Sequence, residues 1–249
     1  MKILTMAAAA ALSFAALATQ AQASTVIATT TTLGGSNFTF TNNGAGDTGS
    51  GGTLAGSGAT DFSFENLGPA YNGVTFVPAT FSFTGTATNS PATFSGSPNQ
   101  LWTQTGLDGT FSYTFSGTTG TVIGGNTLTN GENLLSGTFT NAWIQGNGGS
   151  GSTNLSISNG GAMSFTSAVD PALNAAINPE FAYTLLDVTP NFGSTGSGAA
   201  LLSFTGKGDG EFDINLGVPE PASWSLMILG FGGLGAVIRK RRQASLLAA

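Results

Sequence analysis

The sequence predicts a mainly β protein: one antiparallel β-sandwich or jelly-roll-like domain with one short helix, then a single C-terminal transmembrane helix. Three observations predict it. Short runs alternate an apolar residue, often aromatic, with Thr or Ser, the period-two signature of a strand with one buried face. Clusters of Gly, Asn, Asp, Ser and Pro separate the runs, and these residues supply turns. The 249 residues include 38 Gly for those turns and 18 Phe for the core.

In chain order, Met1–Ala23 reads as a secretory signal peptide: Lys2 is the positive start, Met6–Ala18 is apolar apart from Ser13, and Ala21-Gln22-Ala23 is a small-x-small cleavage site. The mature chain is expected to begin at Ser24. Thr25–Thr32 is β-branched and extended. Alternating runs follow at Asn37–Thr41, Asp61–Glu65, Thr75–Val77, Thr80–Thr84, Thr110–Ser116, Gly137–Ile144, Leu155–Ile157, Met163–Thr166 and Leu201–Thr205. Asn42–Gly52, Gly124-Gly125-Asn126 and Gln145–Ser152 read as turns and loops, and Gly44–Gly58 as a disordered loop or an edge strand. Asp170-Pro171 opens the one helical stretch, with an N-cap Asp and Pro at the first position, and Asn178-Pro179 ends it near Ile177. Phe181–Val188 resumes as a strand. Gly206-Lys207-Gly208-Asp209-Gly210 reads as a turn before a last strand, Glu211–Leu216. The words TFSG and SFTG recur at irregular spacing, so no repeat period emerges.

Composition excludes several functions. Between Ser24 and Val218 stand eleven acids and one cation, Lys207, a net charge of −10. Such a domain cannot neutralise phosphates, which argues against nucleic acid and against anionic lipid as partners. The chain has no His and no Cys. Ser-His-Asp and Cys-His nucleophilic sites cannot be built, nor can His- or Cys-based zinc, haem or iron–sulfur centres. We expect no enzyme and no cofactor.

Four candidate sites remain. Asp209, Glu211 and Asp213 share one face of a strand and offer oxygen ligands suited to calcium, although a solvated face is the simpler reading. Paired carboxylates can hydrolyse glycosides without His, but no spacing singles out a pair. Trp102, Trp143, Tyr71 and Tyr113 could stack on sugars, though aromatics in strand-rich domains more often fill the core; Trp102 stands out because Ser97-Pro98-Asn99-Gln100 before it reads as a loop. Thr-x-Thr pairs at Thr39/Thr41, Thr86/Thr88, Thr103/Thr105, Thr127/Thr129 and Thr138/Thr140 would support ice binding if regular, and their intervals are irregular.

The C-terminus is the most specific stretch. Residues 218–242 read VPEPASWSLMILGFGGLGAVIRKRR. Pro219-Glu220-Pro221 is stiff and extended, a shape that suits a protease cleft. From Pro221 to Ile238 there is no charge, and such a helix spans about 27 Å, enough for a thin bilayer. Arg239, Lys240, Arg241 and Arg242 form the stop that stays cytoplasmic, and Trp224 suits the opposite interface. The segment resembles the PEP-CTERM sorting signal of Gram-negative bacteria in its PEP-x-x-W variant. Pro219, Glu220, Pro221 and Trp224 match, with the Gly-rich span and the basic end; Ser225 departs from the usual Ala. The resemblance implies sorting and processing near the PEP by an exosortase, a membrane cysteine transpeptidase. It also implies a setting of exopolysaccharide production.

The expected organisation is therefore a signal peptide (1–23), a secreted β domain (24–217), a sorting and anchor segment (218–242) and a short cytoplasmic tail (243–249). The expected role is a sorted cell-envelope or matrix protein, structural or adhesive, in contact with exopolysaccharide. A carbohydrate-binding module is the main alternative. An ice-binding protein, a carboxylate glycoside hydrolase and a simple tail-anchored protein rank lower.

Overall fold

The computed structural model describes residues 23–71, 76–96, 101–148, 155–158, 160–176, 178–190 and 192–216. The signal peptide up to Gln22 and the whole of residues 217–249 lie outside the described residues, and with them the expected transmembrane helix. No helix among the described residues is long and apolar enough to cross a membrane.

Thirteen strands run in order: β1 (Ala23–Thr32), β2 (Phe38–Asn42), β3 (Gly52–Phe64), β4 (Val77–Ala87), β5 (Thr93–Ser95), β6 (Leu101–Phe115), β7 (Val122–Ile123), β8 (Asn126–Thr127), β9 (Asn133–Asn147), β10 (Leu155–Ser158), β11 (Met163–Thr166), β12 (Pro179–Thr189) and β13 (Phe204–Leu216). Eleven belong to one sheet, and β7 and β8 form a small separate hairpin. The mainly antiparallel expectation holds. The arrangement of that sheet differs from a sandwich or jelly roll.

The sheet closes on itself. β3 pairs with β4, β4 with β6, β6 with β9, β9 with β10, β10 with β12, β12 with β13, and β13 returns to β1 and β2, which pair with β3. Three positions in this ring are each filled by two strands in line. β1 and β2 both pair with β3, β4 and β5 both pair with β6, and β10 and β11 both pair with β9. Counted by position, the ring has eight members, each next to its neighbour in sequence. This is an up-and-down closed barrel, with no Greek-key crossover.

Glycine accounts for the difference. Several Gly-rich stretches that read as turns are strand interiors, where a neighbouring ring occupies the missing side chain's space. Gly206, Gly208 and Gly210 all lie in β13. A Cβ at Gly208 would sit 2.6 Å from the Phe38 ring, and one at Gly210 would sit 2.5 Å from the Tyr183 ring. The expected turn at 206–210 is therefore a continuous part of a thirteen-residue strand. Likewise Gly52–Gly58 belongs to β3, in the middle of the wall, because Gly56 faces Phe38 in register. Only Ala45–Asp47 in that region forms a separate 3-10 turn. The pairing of a ring over a glycine on the adjacent strand is a known way to hold register.

The helical stretch appears as a five-residue 3-10 helix, Pro171–Ala175. Its start follows the sequence: Asp170 is extended and its side chain accepts the Ala172 N–H at 3.0 Å. Ala176 then donates to the Leu173 carbonyl, an i to i−3 bond, and β12 begins at Pro179.

Inside the ring, aromatic side chains fill the space. Phe38, Phe83, Phe111, Phe139, Phe181, Tyr183 and Phe212 make a continuous ring cluster; Phe111 and Phe212 have centroids 5.0 Å apart, and Phe83 and Phe139 are 5.1 Å apart. At its centre the Tyr113 and Tyr183 hydroxyls meet at 2.7 Å, with Thr30 beside Tyr113. Outward positions on the same strands carry Thr and Ser. β2 and β4 show strict burial alternation, with Thr39, Thr41, Ser82 and Thr84 facing out. Apolar inside and hydroxyl outside is the reverse of a membrane-spanning barrel, which needs an apolar outer band.

Candidate functional site

Two surface features arise from this geometry. The first is a hydroxyl field on the outside of the wall. The register sets Ser82, Ser112, Ser136 and Thr166 in one cross-strand row, and Thr84, Thr110, Thr138 and Ser164 in the next. Strands lie about 4.8 Å apart, so each row is a ladder of closely spaced hydroxyls. Some already satisfy one another: Ser136 with Thr166 at 2.7 Å, and Thr138 with Ser164 at 2.9 Å. Of the Thr-x-Thr residues only Thr138 joins these rows, so the ladders are made mostly of hydroxyls that the sequence pairs did not mark.

The second feature lies at one end of the barrel. Here the chain between β4 and β5 meets the segment 192–203, and two buried amides fasten them. The Gln104 side chain accepts the Leu201 N–H at 3.2 Å and donates to the Ser90 and Thr105 carbonyls. It faces inward because Gly106, at φ 75°, breaks the β6–β9 register, so that Gln104 and Leu107 both point to the core. Asn42 donates to the Leu201 carbonyl at 2.9 Å and accepts the N–H groups of Gly44 and Gly49. Ala92 donates to the Ala199 carbonyl, Thr195 to the Asp47 carbonyl and Ser203 to the Asp47 carboxylate.

Against this fastened end stand Phe94 and Trp102, opposite each other across β5 and β6. Their ring centroids are 4.8 Å apart with planes tilted by 41°. Phe94 is 51% exposed, and Trp102 is half-buried against the core. They line a groove of about 530 Å³, completed by Pro91, Ala92, Thr93 and the turn Gly196-Ser197-Gly198. Among the described residues no ionisable side chain lines it. That volume falls within the usual range for small-ligand sites, roughly 300–1,000 Å³.

The other predicted aromatics have other duties. Tyr113 is buried in the centre of the barrel, and burial pushes its hydroxyl up to about 12. Tyr71 packs on Phe64 at 5.5 Å; burial, then the Asp170 charge, push it up to about 12. Trp143 is half-exposed on β9, away from the groove. Sequence reasoning found Trp102 and missed Phe94. The signal was there: Thr93–Ser95 is a run too short to bury a face, set between Pro91 and Gly96.

The acidic candidates are dispersed. Asp209, Glu211 and Asp213 do share the outer face of β13, but Asp209 accepts the Thr32 N–H and Asp213 accepts the Ser24 hydroxyl, each at 2.9 Å. Among the described residues no three His, Cys, Asp or Glu side chains gather where they could hold a metal ion. Register sets Glu180 opposite Asp213. Asp47, Asp108, Glu132 and Asp170 each accept a hydrogen bond that fixes a turn, a bulge or a helix start.

The barrel's two ends of chain meet. Ser24, the expected first mature residue, lies at the start of β1 and donates to Asp213 near the end of β13. β13 ends at Leu216. A family model described as the PEP-CTERM protein-sorting motif matches residues 217–242, starting at the next residue. The chain carries a PEP-CTERM sorting signal. This motif implies export and exosortase processing to the cell surface. The match includes Pro219, Glu220, Pro221, Trp224 and the basic stop Arg239–Arg242, all outside the described residues. Ala21 of the expected cleavage site also lies outside them. No curated protein and no solved structure matches the chain, so the barrel's role must be argued from its own residues.

Proposed function

We propose that this PEP-CTERM chain is a non-catalytic structural or adhesive protein of the cell envelope or extracellular matrix. A signal peptide starts export, the 218–242 helix holds the precursor as a single-pass membrane protein, and exosortase frees the barrel. The barrel then serves among exopolysaccharide. One observation carries the reading: the sorting motif begins directly after the last barrel strand, so processing near the PEP leaves the barrel whole. The hydroxyl field, the lack of His and Cys, and the acids engaged in turns and bulges support a binding or scaffolding role over a catalytic one.

The test is intact-mass measurement of the protein from envelope and medium, in cells with and without the processing enzyme. The expected result is a chain starting at Ser24 and lacking Arg239–Arg242, lost when the enzyme is removed. Finding only chains that keep the basic stop would refute sorting and leave a simple tail anchor.

The second reading is a carbohydrate-binding module. The specific observation favouring it is the exposed Phe94–Trp102 pair beside a groove.

A further inference from the structure

We infer that the groove at the fastened barrel end is a binding site for a neutral polysaccharide chain, with Phe94 and Trp102 as its stacking platform. This inference rests on the reading of the barrel as a matrix protein and gives that reading a site.

Leaving a phenyl ring half in water forgoes hydrophobic stabilisation, about 25 cal/mol for each Å² not buried. Most phenylalanine rings are buried, with Phe38, Phe40, Phe62, Phe83, Phe139 and Phe212 2% exposed or less; Phe76, at 50%, is as open as Phe94 but is not part of the groove. Phe94 is 51% exposed, next to the half-buried indole of Trp102. β5 contributes only three paired residues at the end of the wall, and the Phe94 ring packs on Trp102.

The chemistry around the pair selects the ligand. An aromatic face is electron-rich and attracts the weakly positive C–H face of a pyranose ring. The 41° tilt presents two faces at an angle, which suits a chain that turns between one sugar and the next. Thr93, Ser197 and the local backbone provide hydroxyl, N–H and carbonyl partners for sugar hydroxyls. Among the described residues no cation lines the groove, and the domain carries eleven acids against one lysine. An anionic polysaccharide would meet repulsion with no ion pair to offset it, so the occupant is neutral.

The site is preformed. The Ser194–Leu201 bridge, the Ala92–Ala199 bond and the Gln104 amide hold the turn against the wall before any ligand arrives. Preorganisation lowers the ordering cost of binding. Gly196 and Gly198, both at positive φ, would meet nothing if they bore a side chain, so the turn leaves the entrance open. A second copy of the chain fits less well: eight residues line the groove, and a stable protein interface uses roughly 20–30 on each side.

The test is affinity electrophoresis of the protein recovered from producing cells. Native gels are cast with xyloglucan, dextran, galactomannan, mixed-linkage β-glucan or, as the charged comparison, alginate. Retardation is expected in at least one neutral gel and absent in alginate. Phe94→Ala and Trp102→Ala should each weaken retardation about tenfold or more. Because Trp102 also packs on the core, Phe94→Ala is the deciding variant, with an unchanged melting temperature as its control. Retardation that survives Phe94→Ala, occurs only in alginate, or occurs in no gel overturns the site. So does a dimer that Phe94→Ala dissolves, which would make the face a self-contact. The two readings separate cleanly. Processed protein without retardation removes the site and keeps the sorting role; retardation of a never-processed chain does the opposite.

Discussion

Two aromatic pairs in this barrel stand in opposite environments. Tyr113 and Tyr183 lie at the centre, fully enclosed, their hydroxyls joined at 2.7 Å. Phe94 and Trp102 stand at the end of the wall with a groove at their side. Both pairs are set by strand register and both face the inner side of the sheet. The difference is in what lies across from them. The inner pair meets rings from every side, including Phe212 at 5.5 Å from Tyr113 and 5.9 Å from Tyr183. The end pair meets a turn of Gly, Ser and Gly. Register decides where an aromatic goes, and the opposing segment decides whether it serves stability or remains available to a ligand.

The contrast can be broken most forcefully at the centre. Phe212→Ala removes a fully buried ring that contacts Phe111, Tyr113, Phe165 and Tyr183. A loss of about 3–5 kcal/mol is expected, read by denaturant unfolding. A loss below that of Phe94→Ala would show that the ring cluster is not the core.

Alkali offers the next test. All three tyrosines, Tyr71, Tyr113 and Tyr183, are held above the ordinary value, each first by burial and Tyr71 also by the Asp170 charge. A raised folded value stabilises the fold fully below about pH 10, the unfolded value. That stability drains away as pH rises from about 10 towards the folded value of about 12 for Tyr113. Tyrosinate absorbance should therefore stay low near pH 10 and rise with unfolding. A third of the signal appearing at pH 10 without loss of structure would mark Tyr71 as free to ionise.

Gln104→Ala is expected to cost about 1–3 kcal/mol, since it orphans the Leu201 N–H and the Ser90 carbonyl in a buried setting. Its signature is local: faster amide exchange in residues 192–203 than in β9. Uniform acceleration would place the amide's role in the whole wall. The smallest stability change belongs to Phe94→Ala, within about 0.5 kcal/mol, because half of that ring is already in water. A large drop in melting temperature there would return Phe94 to the core.

The sequence disclosed the β character, the alternation, the Asp170 cap and the sorting signal, because each is written in local residue order. Met163–Thr166 matches β11 to the residue. What stayed hidden depends on neighbours distant in sequence. Gly208 reads as a turn until Phe38 and Leu185 are placed beside it. The rows Ser82–Ser112–Ser136–Thr166 and Thr84–Thr110–Thr138–Ser164 exist only after four strands are aligned. Sandwich and barrel differ by one closure, β13 onto β1 and β2, which no local pattern encodes. The Phe94 platform needed the turn at 196–198, a hundred residues downstream.

That closure has a consequence for timing. A wall completed by its first and last strands has no edge once shut and an open seam until then. Residues 204–216 are the last barrel residues to be synthesised, and the hydrogen bonds that β1, β2 and β12 make with them cannot form until that stretch is present. The strand that completes the wall is thus the one that adjoins residue 217, where the sorting signal begins.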